Sequence, residues 1–173
     1  MLRIPKPQPD EYLAYYGKYI ALVGEDAMSA LRSQAASTPR LLKGVTESQA
    51  MFRYAPGKWS VKEVLGHILD GERVFGHRAL RFARADQTPL PGFDENAWVP
   101  AAGFDRHTLA ELATQYDAVR AATVALFGSF DEAALVRRGQ ANNAEVSVRA
   151  LAHIIAGHEL HHVGLLRERY GLA

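Results

Sequence analysis

The sequence contains no cysteine and no excess of charge of either sign. Without cysteine, disulfides, thiolate metal sites and a cysteine nucleophile are all excluded. Lysine and arginine number 20 against 19 aspartates and glutamates, a formal net charge of +1. This balance gives no electrostatic reason to expect binding to nucleic acid or to an anionic membrane.

Long apolar runs are also missing. The apolar residues occur in periodic groups broken by charges, whereas a membrane-spanning helix needs about 20 predominantly apolar residues in a row. The first residues, MLRIPKPQPDEY, lack the apolar core of a signal peptide. We therefore expect a soluble, cytoplasmic protein in which residues 1–173 form a single domain.

Four stretches with apolar residues at helical spacing, and no convincing alternating strand, predict an all-α four-helix bundle. The start and stop signals place these helices at residues 10–36, 60–84, 105–127 and 147–170, and a short turn of helix is expected after Thr46. The connection between helices two and three is about 20 residues long, against about 2 to 8 for antiparallel neighbours. Such a connection can cross over the bundle and leave these two helices parallel.

The fourth helix contains HELHH, residues 158–162, which fits the pattern H-E-x-x-H. At about 100° per residue, His158 and His162 lie on or beside the inward stripe, His161 lies toward a flank and His153 points away from the core. A lone inward histidine is more often a core residue, but two imidazoles at i and i+4 can bind one ion. His67, next to the inward face of helix two, is the natural third ligand.

The glutamate inside this pattern, Glu159, is also expected to point inward. It is a candidate hydrogen-bond partner of a ligand, a candidate general base or a member of a buried salt bridge. Glu159 is accordingly predicted to be a catalytic residue.

Two other metal chemistries fit the pattern less well. A zinc peptidase needs a further ligand downstream, but the residues after His162, VGLLRERYGLA, contain no histidine, and Glu168 lies too close along the same helix. A di-iron carboxylate bundle needs Glu-x-x-His twice with two further glutamates, and no second such motif is present on helix two. The pattern is therefore interpreted as two ligands of a bundle site.

Three segments together resemble the DinB-like superfamily, four-helix proteins named after a bacterial damage-inducible gene. They are KWSVKEVLGHILDGER, RALRFARADQTPLPGFDENAWVP and SVRALAHIIAGHELHHVGLLRERYG. The resemblance extends over nearly the whole chain. It implies an up-down-down-up bundle and a divalent metal ion, zinc or nickel, held by histidines that match His67, His158 and His162.

Relatives implied by this resemblance include bacillithiol transferases, mycothiol-dependent maleylpyruvate isomerases and hydrolases of unknown substrate. The expected function is therefore metal-dependent S-transfer or hydrolysis of a small-molecule substrate, with a low-molecular-weight thiol as a possible cosubstrate. The alternative is a non-catalytic, stress-associated protein that binds a metal or a ligand. A homodimer is the expected macromolecular partner, with no nucleic acid and no membrane.

The segment from Thr88 to Pro100 carries Phe93 and Trp98 between prolines. Long connections in compact domains are often functional, so this segment is predicted to form a lid or wall of the metal pocket, with Trp98 binding substrate. The alternative is that the two aromatic side chains cover the end of the bundle or pack against a second subunit.

Overall fold

The computed structural model describes residues 3–173, most of which are helical. The helices are α1 (Gly17–Ile20), α2 (Ala27–Leu42), α3 (Glu47–Ala50), α4 (Val61–Ala83), α5 (Glu95–Ala102), α6 (Leu109–Gly128), α7 (Glu132–Leu135) and α8 (Val148–Tyr170). Short 3-10 turns cover Pro9–Glu11, Ala14–Tyr16 and Phe104–Arg106, and strands β1 (Arg138–Ala141) and β2 (Ala144–Ser147) form a hairpin. Among these helices, none is long and apolar enough to cross a membrane.

The long helices α2, α4, α6 and α8 form the bundle, and paired contacts give their directions. Helix α8 runs parallel to α2, because Gln34 bonds the carbonyl of Ala156 and Thr38 bonds Glu159. Helix α6 runs antiparallel to α2, because Arg120 and Tyr116 bond the carbonyls of Leu31 and Gln34, respectively.

Helices α4 and α6 run in the same direction. Gly66, near the start of α4, packs on Phe104 just before α6, and Gly76 further along α4 lines a groove with Leu126 near the end of α6. Helix α4 is antiparallel to α8, because Trp59 just before α4 meets Tyr170 at the end of α8. The order is therefore up-down-down-up, and the predicted crossover between the second and third bundle helices is confirmed.

Three predicted helix starts depend on a capping box or an N-cap, and all three are found. Ser60 and Glu63 form the box that begins α4, Thr46 begins α3, and the Ser147 hydroxyl accepts the Ala150 amide at the start of α8. Gly171, in the left-handed conformation, ends α8. These signals are local side-chain to backbone bonds, which is why the sequence displays them directly.

The predicted start of the first helix at Asp10 is wrong. Residues 9–20 form separate turns, and the bundle helix begins only after Asp26, whose carboxylate accepts the Met28 amide. The same carboxylate also accepts the amide of Ile4, so the extended N-terminal segment pairs with the chain at this point and interrupts the helix.

The third bundle helix also begins later than predicted, at Leu109 rather than Asp105. Asp105 lies in a 3-10 turn, where its carboxylate binds Arg53 and accepts the Ser60 hydroxyl. The start is set instead by a capping box between Thr108 and Glu111. The side chain of Asp105 is suited to an N-cap. Its carboxylate does not cap this helix, because it is bonded to Arg53 and Ser60, which are distant in sequence.

The β1–β2 hairpin was not expected from the sequence. Its turn is Asn142 and Asn143, both with positive φ, which asparagine tolerates better than most residues. Leu90 of the crossover connection bonds the backbone of Gln140 and Asn142 on either side, so the hairpin anchors this connection to the bundle.

Two apolar clusters fill the bundle. One contains Phe75, Phe82 and Ile155, and the other contains Leu65, Phe104 and Leu166. His158 and His162 lie between the two clusters along α8, whereas His67 lies within the part of α4 that belongs to the second cluster. Apolar packing therefore holds both backbones in place around the histidines.

Candidate metal centre

The structure brings His67 of α4 and His158 and His162 of α8 into one buried cluster. The Nε2 atom of His158 lies 2.9 Å from that of His67 and 3.1 Å from that of His162. One ligand atom from each ring lies within 4.8 Å of the others, and all three side chains are buried. These are the three residues predicted from helical phase and from the family resemblance, although their role as ligands stays a prediction.

Neighbouring residues fix the orientation of these rings. Gly71, one turn after His67, leaves the space that His158 occupies: a Cβ atom at this position would lie 3.2 Å from His158 Cε1. Trp59 packs against His67 with ring centroids 4.8 Å apart, and Tyr19 contacts His158 edge to face at 5.4 Å. The imidazoles are therefore held by packing and cannot easily turn away from each other.

All three imidazoles are neutral near pH 7. Burial lowers the pKa of His67 to about 4, although the negative charge of Glu95 opposes the shift. Burial and the neighbouring His67 lower the pKa of His162 to about 3, and burial together with the other histidines holds the pKa of His158 well below its ordinary value. Neutral rings offer lone pairs, which is the form of histidine that binds metals.

The donor set fits a divalent cation. The Nε2 atom of His158 contacts two other Nε2 atoms, but a single ring nitrogen can share only one proton, so hydrogen bonding cannot satisfy all three. Ligands in a tetrahedral zinc site with bonds of about 2.0–2.1 Å lie about 3.3 Å apart. The two Nε2 separations from His158, 2.9 and 3.1 Å, are close to this value. The cluster could therefore hold a divalent ion.

A cavity of about 390 Å³ opens onto His67 and His158. Tyr16, Tyr19, Phe75 and Phe93 give it aromatic walls, and Arg78, Glu95 and Asn142 add polar groups. The volume lies in the range of small-molecule sites, and apolar walls with a few polar groups are typical of them.

The carboxylate of Glu159 takes part in a buried network. It accepts hydrogen bonds from Thr38, Tyr116 and Arg120, and Arg120 also forms a salt bridge with Glu72. These contacts correspond to the salt-bridge alternative that the sequence left open. A catalytic role for Glu159 stays a prediction.

The other two histidines of α8 are not members of the cluster. His161 is half-buried, and its ring packs against Tyr19 at 5.4 Å and against the ring of His162 at 5.1 Å. The expectation that His153 points away from the core is wrong: it is fully buried, and its Nδ1 contacts the carbonyl of Arg149. The segment before α2 covers this face of α8 around Gly24, which helical periodicity within α8 alone could not indicate.

The crossover connection contributes to the cavity through Phe93 and Glu95, which lie in its wall. Trp98 is 43% exposed and packs against Phe93 with ring centroids 5.0 Å apart, outside the cavity lining. The structure therefore places Trp98 behind a wall residue. Its predicted contact with substrate stays a prediction.

Sequence reasoning missed three polar residues of the cavity, Arg78, Glu95 and Asn142. Arg78 had a usable signal, because a charged residue seven positions after Gly71 falls about 20° from it on the inward face of the helix. Glu95 had no such signal in the sequence, because it belongs to the crossover connection, whose path depends on contacts with the hairpin and with α4.

Comparisons with known proteins agree with this architecture. YfiT from Bacillus subtilis, described as "a probable metal-dependent hydrolase with an unusual four-helix bundle topology", has a TM-score of 0.71 and 18% identity, covering 97% of this chain and 94% of that chain. A DinB-like protein from Bacillus subtilis, YjoA, has a TM-score of 0.59 and 22% identity, covering 81% of this chain and 85% of that chain. None of the curated proteins matches the sequence.

These two likenesses establish the fold, and a family model establishes the relationship. The model described as the DinB superfamily matches residues 30–166, a range that contains all four bundle helices in whole or in large part and all three clustered histidines. The chain therefore belongs to the DinB superfamily.

Proposed function

We propose that this protein is a divalent-metal-dependent enzyme that acts on a small molecule by hydrolysis or by transfer to a thiol. His67, His158 and His162 would hold the ion. The observation that carries the proposal is the convergence of three buried, neutral imidazoles, two of which, His67 and His158, line a small-molecule-sized cavity. The description of YfiT as "a probable metal-dependent hydrolase" supports the hydrolytic form of the reaction.

A divalent ion with three neutral ligands keeps its full charge and an open position, so when bound it would polarise a substrate and lower the pKa of water or of a thiol. Imidazole ligands suit both zinc and nickel. A low-molecular-weight thiol would serve as cosubstrate in the transfer reaction.

Residues of the cavity would bind substrate and move protons. Glu95 supplies a carboxylate near His67, on whose pKa its charge acts, and this carboxylate can accept a proton from the nucleophile and return it to the leaving group. Burial and the neighbouring Tyr15 raise the pKa of Tyr19, which therefore stays a neutral hydroxyl that can donate a hydrogen bond. The aromatic walls would exclude water around an apolar substrate.

The proposal is tested by metal content and by a metal-dependent activity screen. Elemental analysis of protein purified with added zinc or nickel should find one ion per chain. His67→Ala, His158→Ala and His162→Ala should each lose it, because two imidazoles bind a divalent ion much more weakly than three. The loaded and stripped proteins are then compared in hydrolysis and thiol-conjugation assays.

His161→Ala and His153→Ala are the matched controls, since both residues lie on α8 outside the cluster. Both variants should keep the metal, and circular dichroism should show that all five remain helical. Stoichiometric metal in His67→Ala would contradict the three-histidine site. Metal binding without any metal-dependent turnover would favour the non-catalytic alternative.

A further inference from the structure

Arg78 of α4 is a buried cation at the wall of the cavity that opens onto the histidine cluster. Its side chain lines the cavity, yet the residue is only 4% exposed. The guanidinium carbon lies 5.6 Å from the ring centre of Phe75 and 5.9 Å from that of Phe93. The charge is thus held between two aromatic rings rather than in water.

The hydrogen bonds of Arg78 leave its charge without a counterion. One guanidinium N–H donates to the carbonyl of Pro91 at 2.8 Å, and the Tyr16 hydroxyl interacts with the group. Within residues 3–173, no carboxylate lies close enough to form a salt bridge with it. An arginine carries five N–H donors, and a buried charge that is not paired is costly.

The arrangement differs from that of Arg120, which is also buried in the same bundle. Arg120 forms salt bridges with both Glu72 and Glu159. Its charge is neutralised by the protein itself, whereas that of Arg78 faces a cavity large enough for a ligand. Burial lowers the pKa of Arg78, as expected for a cation that lacks a nearby anion.

We propose that Arg78 is the carboxylate-binding residue of this cavity, and that its ligand is a small organic acid with an apolar, aromatic-sized body. The inference rests on the proposed function, since it names the class of substrate for the same site. A planar guanidinium matches the two oxygens of a carboxylate. The rings of Tyr16, Phe75 and Phe93 would enclose the body of the ligand.

Charges in the cavity would also orient this ligand. The negative charge of Glu95 acts on His67, at the side of the histidine cluster. In the metal-free protein, a ligand carboxylate would be repelled there and attracted to Arg78. The opposite end of the molecule would then face the imidazoles, where the reaction is proposed.

Calorimetric titration with phenylacetate and its neutral analogue phenylacetamide tests the inference. The protein is stripped of metal, so that the carboxylate cannot gain affinity by metal coordination. Wild-type protein should bind the acid at least about tenfold more tightly than the amide, because hydrogen bonds between charged partners are the stronger ones. In Arg78→Met this preference should disappear.

The control variants separate charge recognition from folding. Arg81→Met lies on the same helix, where Arg81 pairs with Asp86 outside the cavity, and it should keep the full preference for the acid. Arg78→Lys keeps the charge without the planar fork and should keep part of the preference even if Arg78→Met folds poorly. Equal affinity for acid and amide in the wild-type protein, or an unchanged preference in folded Arg78→Met, would overturn the inference.

The outcome is independent of the metal proposal. Equal affinity of the wild-type protein for acid and amide, together with intact metal binding, would contradict only the role of Arg78. An intact acid preference in a protein that binds no metal would contradict only the proposed metal-dependent function.

Discussion

Two glutamates near the histidine cluster have opposite surroundings. Glu159 follows His158 directly in sequence, but its carboxylate is fully buried and bonded to Arg120, Tyr116 and Thr38. Glu95 is distant in sequence from every histidine of the cluster, yet it is only half-buried and lines the cavity. A carboxylate that exchanges protons must reach the substrate, so accessibility favours Glu95 for this task.

Glu95→Gln is therefore expected to lower kcat by about 100-fold or more, the usual contribution of a general acid or base. Metal content should be unchanged, because the cluster of three histidines remains. The measurement is turnover of the best substrate from the activity screen, with elemental analysis of the same preparation. Glu159→Gln provides the comparison and tests the earlier prediction for that residue: full activity in Glu95→Gln with selective loss in Glu159→Gln would reverse the assignment.

At the scale of residues, the sequence predicted the features that depend only on the spacing of residues within one helix. His158 and His162 share a face because they are one turn apart, and His67 lies on the facing stripe of α4. The burial of His153 and the position of Glu95 depend on segments that fold over the bundle from elsewhere. No pattern within one helix contains that information.

Among the elements, the short helix α1 is placed by one glycine of α8. A Cβ atom at Gly157 would lie 2.1 Å from the carbonyl oxygen of Tyr19 and 2.5 Å from its carbonyl carbon, both backbone atoms that cannot turn aside. The backbones of α1 and α8 therefore touch at this point. The contact brings the Tyr19 ring against His158 and into the cavity wall.

Gly157→Ala is expected to destabilise the protein by about 1–3 kcal/mol, because the added methyl group must push the α1 backbone away. Chemical denaturation of the two proteins measures the difference. The tyrosine environment should change as well, which near-ultraviolet circular dichroism detects.

Gly164→Ala is the matched control on the same helix, since nothing lies within 4 Å of a Cβ atom there. It should leave the stability unchanged or raise it by up to about 1 kcal/mol, because alanine is the better helix former. Equal changes in the free energy of unfolding of the two variants would show that the close contact at Gly157 does not affect stability.

The elements that sequence patterns predicted are those with local start signals. Helices α4 and α8 begin at the predicted serines because their caps involve only neighbouring residues. The helix predicted to begin at Asp10 does not form, because Asp26 caps a new helix and its carboxylate also accepts the Ile4 amide. The second contact joins positions 22 residues apart, so no local pattern indicates it. The Asn142–Asn143 turn was a usable signal for the hairpin, but its strands are too short for alternation to be evident.

For the whole molecule, one buried polar network joins all four bundle helices. Arg120 of α6 bonds Glu72 of α4, Glu159 of α8, and the Gln34 side chain and Leu31 carbonyl of α2. Burial alone would lower the pKa of Arg120, but the two carboxylates outweigh it and raise this pKa. Arg120 therefore stays charged, and two buried glutamates depend on it.

Arg120→Met is expected to lower the free energy of unfolding by about 3–5 kcal/mol, because it leaves buried carboxylates without a counterion. Urea denaturation monitored by helix signal measures this loss. Arg73→Met is the control. Arg73 of α4 is exposed and pairs with Asp70, so this substitution should lower the free energy of unfolding by less than about 1 kcal/mol. Similar losses in both variants would show that the network is not a main determinant of stability.

The origin of the three imidazoles also bears on when the chain can take up an ion during its synthesis. His67 and His158 are 91 residues apart, and two of the three rings belong to α8. At about 5–20 residues per second, the ribosome needs roughly 5 to 18 seconds to proceed from one to the other. During that time the nascent chain carries a single imidazole of the cluster, too few to retain an ion. Uptake of the proposed ion would therefore wait until α8 has been made and docked, and it would depend on the ions that are then available around the folded chain.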